Sequence, residues 1–200
     1  MAEVFFDKFN DRLKKAHVAV AGLGGLGSNI AVALARSNVG NLHLIDFDKV
    51  DMSNLNRQHY NINHLGKYKT EALKEQLKYI NPDVNVAIDT VKVRPDNIKM
   101  LFQNDEIICE AFDKAEMKAM LVNEVLEIFP EKFLVSGSGM AGYETSNTIV
   151  TKRITEKFYL CGDGVSGLAY DRKLLAPRVS ICAGHQANMI LRIILGEYDV

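Results

Sequence analysis

The feature that most constrains this chain is the run VAVAGLGGLGSNIAVALARSNVG, from Val18 to Gly40. An apolar stretch of strand character leads into Gly22-Leu23-Gly24-Gly25-Leu26-Gly27, and an apolar-faced helical pattern follows at once. Glycines at this spacing permit a tight turn, a close approach of backbone to ligand, and close packing of helix on strand. The following helix turns its free amides and the positive end of its dipole toward the turn, which favours a phosphate there. A second strand pattern, Asn41 to Asp46, ends on an acid where such folds grip a ribose hydroxyl. A phosphate-bearing ligand is expected. The glycines alone do not separate a nicotinamide dinucleotide from ATP.

The alternation continues along the chain. Strand patterns recur near His17–Ala21, Asn41–Asp46, Val84–Ile88, Glu106–Ala111 and Lys132–Ser136. Helical patterns fall between them at Gly27–Ser37, Lys69–Tyr79, Asp96–Phe102 and Lys114–Phe129. Asn81-Pro82 stops the second helix, because proline lacks an amide and restricts the residue before it. From Gly137 the pattern changes to a glycine-rich turn, two short β-branched or aromatic runs and a loop-like CGDGVSGLAYDRKLLAP, then a closing apolar helix. The expected fold is α/β: a Rossmann-like, mostly parallel sheet with helices on both faces and a small antiparallel C-terminal extension. With no repeat or linker, residues 1–200 read as one domain.

Composition narrows the class of partner. Net charge is −1 over 200 residues, so no global pull toward nucleic acid or an anionic membrane is implied. No apolar run reaches the length needed to span a bilayer, and the start lacks the pattern of a secretory signal. Three cysteines without a CxxC pair build neither a disulfide framework nor a four-cysteine zinc site, so no zinc is expected and a cytoplasmic setting is.

The segment DFDKVDMSNLNRQHY after the second strand carries the discrimination. Asp46, Asp48 and Asp51 are followed closely by Ser53, Asn54 and Arg57. A dehydrogenase with an acid on its ribose has no use for an arginine there. A triphosphate attacked at its α-phosphate needs several donors and cations. An amide donor at Asn54 and a planar guanidinium at Arg57 suit phosphate oxygens. Lys69, twelve residues on at a helix start, is either a further phosphate cation or a solvated helix lysine.

The motif GLGGLGSN…DxDxVxxSNLNRQ…GxxKxE resembles that of the ThiF/MoeB group of ubiquitin-activating-like adenylyltransferases, and EAFDKAEMK and APRVSICAGHQANMILRIILG resemble that group's later segments. The resemblance implies that ATP and magnesium are used to adenylylate the C-terminal glycine of a small ubiquitin-fold carrier, with release of pyrophosphate. By matching position it implies that Gly22, Gly24, Gly25 and Gly27 line the nucleotide and that Asp46 holds the ribose, with Asp48 and Ser53 alongside. Asn54, Arg57 and Lys69 would contact phosphates. Asp113 would bind magnesium, though an aspartate before KAEMKAML also suits a helix N-cap. The group's N-terminal arginine, its zinc-binding CxxC pairs and its rhodanese-like domain are not matched, and Arg12 sits too late for that arginine. The pattern is similar to the short ThiF-like proteins of thiamine thiazole synthesis, with a Gly-Gly carrier and a sulfurtransferase as partners.

Other expectations follow. The carrier tail is expected along SGSGMAGYETSN, where glycines leave room for a second backbone. A homodimer is expected, with VFFDKF and ILRIILG offering apolar surface. Cys109 and Cys182, in apolar runs, read as buried small hydrophobes. Cys161 opens a glycine-rich, mobile loop and is the candidate nucleophile for capturing the acyl group, near Lys157 and Arg172 in sequence. His185 reads as a helix-surface residue. Rival readings are a carrier for molybdopterin or tRNA thiolation, an NAD-linked Rossmann oxidoreductase, and a scaffold that has lost catalysis.

Overall fold

A computed structural model of the chain describes residues 2–167 and 173–200. Seven strands form one sheet in the order β3-β2-β1-β4-β5-β7-β6. The strands are β1 (His17–Ala21), β2 (Asn41–Ile45), β3 (Asn85–Asp89), β4 (Ile107–Glu110), β5 (Phe133–Gly137), β6 (Val150–Arg153) and β7 (Phe158–Gly162). All neighbours pair in parallel except β6, which runs antiparallel to β7. The antiparallel extension is therefore no separate flap: β7 pairs with β5 and carries the main sheet onward.

The helices are α1 (Ala2–Lys15), α2 (Gly25–Arg36), α3 (Lys69–Ile80), α4 (Pro95–Leu101), α5 (Ala115–Ile128) and α6 (Ala176–Leu195). Period-two alternation sends side chains to both sheet faces. Val18, Val20, Leu42, Leu44, Cys109 and Val135 join one core with residues of α1, α2, α3 and α6. Ala19, Ala21, Ile45, Ile108 and Leu134 join the other beneath α4 and α5. Strands buried on both faces explain the near-continuous apolar runs.

Local chemistry sets the helix ends. α2 closes on Asn38 in the left-handed region at φ 62°, with the Val39 amide bonded back to the Leu34 carbonyl. α6 closes on Gly196 at φ 87°, and Arg12 Nη1 donates to the Leu195 carbonyl at 2.6 Å. Arg12 thus ties α1 to the end of α6. α1 itself was not expected from its short apolar pairs. Its side chains at Val4–Lys8 fall outside the description, so the VFFDKF surface is known only at Phe9. In ILRIILG, Ile190 and Ile193 are buried in the chain's own core, with Leu191, Ile194 and Leu195 packed against it. Leu191, Ile194 and Leu195 are the apolar side chains of that stretch that remain partly exposed.

Because β2 lies on one side of β1 and β4 on the other, the chain reverses direction of travel across the sheet at β1. Ligands of open α/β sheets sit in the crevice beyond the carboxyl ends of strands at such a point.

Candidate functional site

The glycine turn lies at that crevice. Gly22 adopts φ +91°, and a Cβ there would come within 2.9 Å of the Ala111 carbonyl oxygen and the Phe112 ring. A Cβ on Gly27 would lie 1.8 Å from the Gly22 carbonyl oxygen. These two positions are closed to any other residue. Gly24 is the N-cap of α2 and Gly25 its first residue, so the helix begins two residues before the expected Gly27.

Asp46 fixes the turn. Its Oδ2 accepts the Leu23 amide at 2.6 Å and its Oδ1 accepts the Asp48 amide at 2.8 Å. Each oxygen keeps a lone pair for a ligand hydroxyl. Burial raises the carboxyl pKa, and the Lys69 ammonium and the two amides oppose that rise. Tyr60 Oη donates to the Leu23 carbonyl at 2.8 Å, holding the same turn from the other side. Burial, with the charges of Asp46 and Asp48, keeps that phenol neutral.

The SNLNRQ segment is stitched onto the turn. Asn29 Nδ2 donates to the carbonyls of Gly25 and Arg57, and Ser28 Oγ accepts the His59 amide. Asp51 caps a short 3₁₀ turn: its Oδ1 accepts the Ser53 amide, and Asn54 Oδ1 accepts the Asp51 amide at 3.0 Å. The Asn54 oxygen is thereby spent, while its amide hydrogens make only a 3.5 Å contact to Ser53 Oγ. Arg57 Nη1 is held by the Ser53 carbonyl and Asn56 Oδ1. Its Nε is buried without a partner, and so is Gln58 Oε1. A buried donor without an acceptor is costly. Arg57 packs beside Gly25, with its Cγ 3.6 Å from the position a Cβ would take there. An orphan cationic donor beside a glycine cradle fits a phosphate oxygen.

Lys69 is not a solvated helix lysine. It is only 6% exposed, and its Nζ lies 3.1 Å from Asp48 Oδ2. The Lys69 amide, donating to the Asp48 carbonyl, sets the start of α3 against this loop.

On the far side of the crevice, Asp113 is exposed at the end of the β4 loop and makes no hydrogen bond or ion pair among the described residues. It precedes the N-cap, which is Lys114, so the capping alternative fails. No group of three or more metal-ligating side chains occurs among the described residues. A single carboxylate with substrate phosphates and waters still suits magnesium.

Two buried charges on β4 and α6 are not legible in the sequence. Glu110 at the end of β4 is fully buried and pairs with Lys118 on α5. Arg178 on α6 is 3% exposed and pairs with Asp163. The first leaves only a lone acid inside IICEAF as a local sign. Nothing local marked the second.

Two expectations are corrected, for Cys161 and His185. Cys161 does not open a mobile loop. It lies within β7, fully buried, and burial pushes its thiol up to about 11. The thiol is thus enclosed in the sheet and not presented on a loop at the crevice. Its nearest polar neighbour is Thr151 Oγ1 at 3.6 Å, which also lies 3.0 Å from His185 Nδ1, so His185 is half-buried and engaged. Arg172 lies outside the described residues. Cys109 and Cys182 are buried as expected, the latter thiol pushed up to about 12. Finally, two glycines of SGSGMAGYETSN serve the chain's own packing: a Cβ on Gly139 would lie 2.1 Å from Asp163 Oδ1, and one on Gly137 would meet Gln186 and Leu26.

A groove of about 720 Å³ lies at the other, amino-terminal ends of β1, β2 and β3, lined by His17, Asn41, His43, Asn85 and Asp105 among others. It has no lysine or arginine in its lining.

The chain matches the model of the ThiF family over residues 1–200. Adenylyltransferase and sulfurtransferase UBA4 of Candida glabrata is 32% identical over 195 residues, 94% of this chain and 44% of that protein. The tRNA threonylcarbamoyladenosine dehydratase of Haemophilus influenzae is 40% identical over 113 residues, 56% of this chain and 43% of that protein. The chain thus spans less than half the length of these relatives. Crystal structures of E. coli tRNA N6-threonylcarbamoyladenosine dehydratase with AMP and with ATP superpose with TM-scores of 0.87 and 0.86. Their identity is 21% and 22%, and each covers 98% of this chain and 92% of that one. The sheet order, the glycine turn with its acid and the SNLNRQ segment are one construction with this match along the whole length: the chain belongs to the ThiF family.

Proposed function

We propose that this protein activates a carboxylate with ATP, forming an acyl-adenylate and releasing pyrophosphate. The observation that carries the reading is the orphan Arg57 Nε beside Gly25, with the buried Lys69 ammonium on the same side of the turn as Asp46. The ATP-bound E. coli dehydratase structure and the adenylyltransferase name of UBA4 support it.

In this mechanism Asp46 accepts a ribose hydroxyl while its amide partners keep the glycine turn closed beneath the phosphates. A substrate carboxylate oxygen attacks the α-phosphorus. The bond from that phosphorus to the α–β bridging oxygen breaks, and the pyrophosphate leaves with the electron pair. Asn54, Arg57 and Lys69 meet the charge that grows on the phosphate oxygens, and the α2 amides lie beneath. Magnesium held through Asp113 and the phosphates would supply further neutralisation. Lys69 exchanges its Asp48 partner for phosphate as ATP enters. No thiol is needed for this step.

The substrate we favour is the C-terminal glycine of a small ubiquitin-fold sulfur carrier, as in thiamine thiazole synthesis, with the protein acting as a homodimer beside a sulfurtransferase. The match over 94% of this chain to UBA4, named an adenylyltransferase and sulfurtransferase, supports adenylylation coupled to sulfur transfer. A second reading rests on the 40% identity to the H. influenzae dehydratase: the activated carboxylate is then on threonylcarbamoyladenosine in tRNA. ATP–pyrophosphate exchange separates them. Exchange that depends on a Gly-Gly carrier from the same organism supports the first; exchange that depends only on modified tRNA supports the second. No exchange with either, together with tight NAD binding, would sink both.

A further inference from the structure

Glu110 lies three residues before Asp113, yet it is built to do something other than bind a ligand. Every acceptor position it has is used internally. Oε1 accepts the Phe112 amide at 2.6 Å and lies 3.1 Å from Lys118 Nζ. Oε2 lies 2.9 Å from the same ammonium and accepts Ser136 Oγ at 2.5 Å. The carboxylate is fully buried. A group so enclosed and so completely hydrogen-bonded neither shuttles a proton nor ligates a cation.

Its partners show what it does hold. Ser136 belongs to β5 and Lys118 to the second turn of α5, while the Phe112 amide belongs to the loop between β4 and α5. That loop is one wall of the crevice: the Ala111 carbonyl and the Phe112 ring pack against Gly22 closely enough to exclude a Cβ. The Ala111 amide extends the ladder to the Ala21 carbonyl at 2.8 Å, so the loop leaves the sheet only at Phe112. Phe112 is the last point of attachment before the exposed, unpaired Asp113. Ala115, two residues later, begins α5, whose N-cap makes no side-chain bond.

We propose that Glu110 is a positioning residue for the nucleotide site: through the Phe112 amide it fixes the loop that presents Asp113 to the magnesium-bound phosphates. The inference rests on the ATP site proposed above. It assigns the work to the tether rather than to the charge. Lys118 is then the counter-ion that lets a carboxylate be buried where two acceptors are needed on one side chain. Glu110 serves Asp113 and not the cations Arg57 and Lys69, which sit across the crevice on the β2–α3 segment.

The test is calorimetric binding of ATP, with and without magnesium, in two double variants. Glu110→Leu with Lys118→Met replaces the ion pair by an apolar pair of similar volume, which buried ion pairs commonly tolerate without loss of fold. It removes the acceptor from Phe112. Glu110→Gln with Lys118→Met keeps an acceptor for Phe112 while removing both charges. Magnesium should strengthen ATP binding in the wild type. That strengthening should fall roughly tenfold or more in the leucine variant and stay within about threefold of wild type in the glutamine variant. ATP binding without magnesium should be unchanged in both. Adding Asp113→Asn to the leucine variant should cause no further loss, since the two act through one contact. Equal magnesium dependence in wild type and leucine variant would overturn the assignment of Glu110 and leave the ATP site standing. Parallel loss in both double variants would make the charge, not the tether, the operative feature and equally overturn it. Wild-type protein that binds no ATP overturns the site and this inference together. Where the leucine variant does not fold, Ser136→Ala with protection of the Phe112 amide read by hydrogen exchange gives the same decision: weakened protection without weakened magnesium dependence refutes the proposal.

Discussion

Arg178 Nη2 lies 2.6 Å from Asp163 Oδ2, and the pair joins the first turn of α6 to the turn that follows β7. The same guanidinium donates through Nη1 to the carbonyls of Glu144 and Thr145, both at 2.8 Å. Asp163 also accepts the Val165 and Ser166 amides and the Ser166 hydroxyl. One buried arginine thus gathers the glycine-rich segment after β5 and the turn after β7 beside the crevice. Val179, its neighbour, lies 3.0 Å from where a Cβ on Gly25 would be, so disturbing this corner disturbs the glycine turn.

Arg178→Leu leaves the Asp163 carboxylate buried without its counter-ion and should cost about 3–5 kcal/mol in urea unfolding. Arg178→Leu with Asp163→Leu should recover much of that loss, because neither charge is then stranded. A single variant within about 1 kcal/mol of wild type would show that solvent reaches the carboxylate after all.

Arg57→Ala and Lys69→Met should each lower pyrophosphate exchange by roughly 10²-fold or more, as expected for donors that meet charge growing in a transition state. Their stabilities should differ. Arg57 is half-buried with an orphan Nε, so its loss should leave the melting temperature near wild type. Lys69 is buried beside Asp46 and Asp48, and its loss should lower it. Near-wild-type exchange in both variants would refute the phosphate roles.

The difference between those two residues shows what the sequence could carry. Strand and helix patterns are local, so β1 falls on the expected His17–Ala21 and α3 starts at the expected Lys69. The glycine spacing and the acid after β2 are equally local. Burial of Lys69 is not: it depends on the Asp48 backbone folding over the start of α3. Cys161 failed for a related reason. Glycines after FYLCG are a local sign of a loop, but parallel pairing with β5, more than twenty residues away, carries β7 through Cys161, and antiparallel pairing with β6 carries it to Gly162. Long-range pairing overrides such local signals. Glu110 is one acid in an apolar run, but its partners lie on other elements, Lys118 on α5 and Ser136 on β5.

His43 should give the protein a pH-dependent stability. Its Nδ1 lies 2.9 Å from Asp105 and its Nε2 2.8 Å from Asp89, so both ring nitrogens face carboxylates and the protonated ring can donate to both. Burial lowers the imidazole pKa, but the two aspartates outweigh it and the net shift is upward. A folded pKa above the unfolded value means the stabilisation is complete below about pH 6.5 and is lost as pH rises through the folded value. Unfolding free energy should therefore fall from about pH 6.5 upward, and His43→Gln should remove that part of the slope. An unchanged slope in the variant would place the titration elsewhere.

The cysteines give a sharper test, because adenylation and thiol chemistry are separable. Cys109, Cys161 and Cys182 are all buried and free, and burial raises each thiol. None should react with a thiol reagent in the native protein near neutral pH, and all three should react once it is unfolded. Cys161→Ser places a hydroxyl in the same enclosure, where Thr151 is the nearest partner. A buried hydroxyl that is only partly satisfied costs about 1–3 kcal/mol. Pyrophosphate exchange should nevertheless stay near wild type, since the carboxylate is itself the nucleophile. Any later capture by sulfur then belongs to another protein, and this chain should form no thiol-sensitive adduct with its substrate. Native labelling of Cys161, or an adduct abolished by Cys161→Ser, would mean that β7 opens during turnover and would restore the cysteine to the reaction.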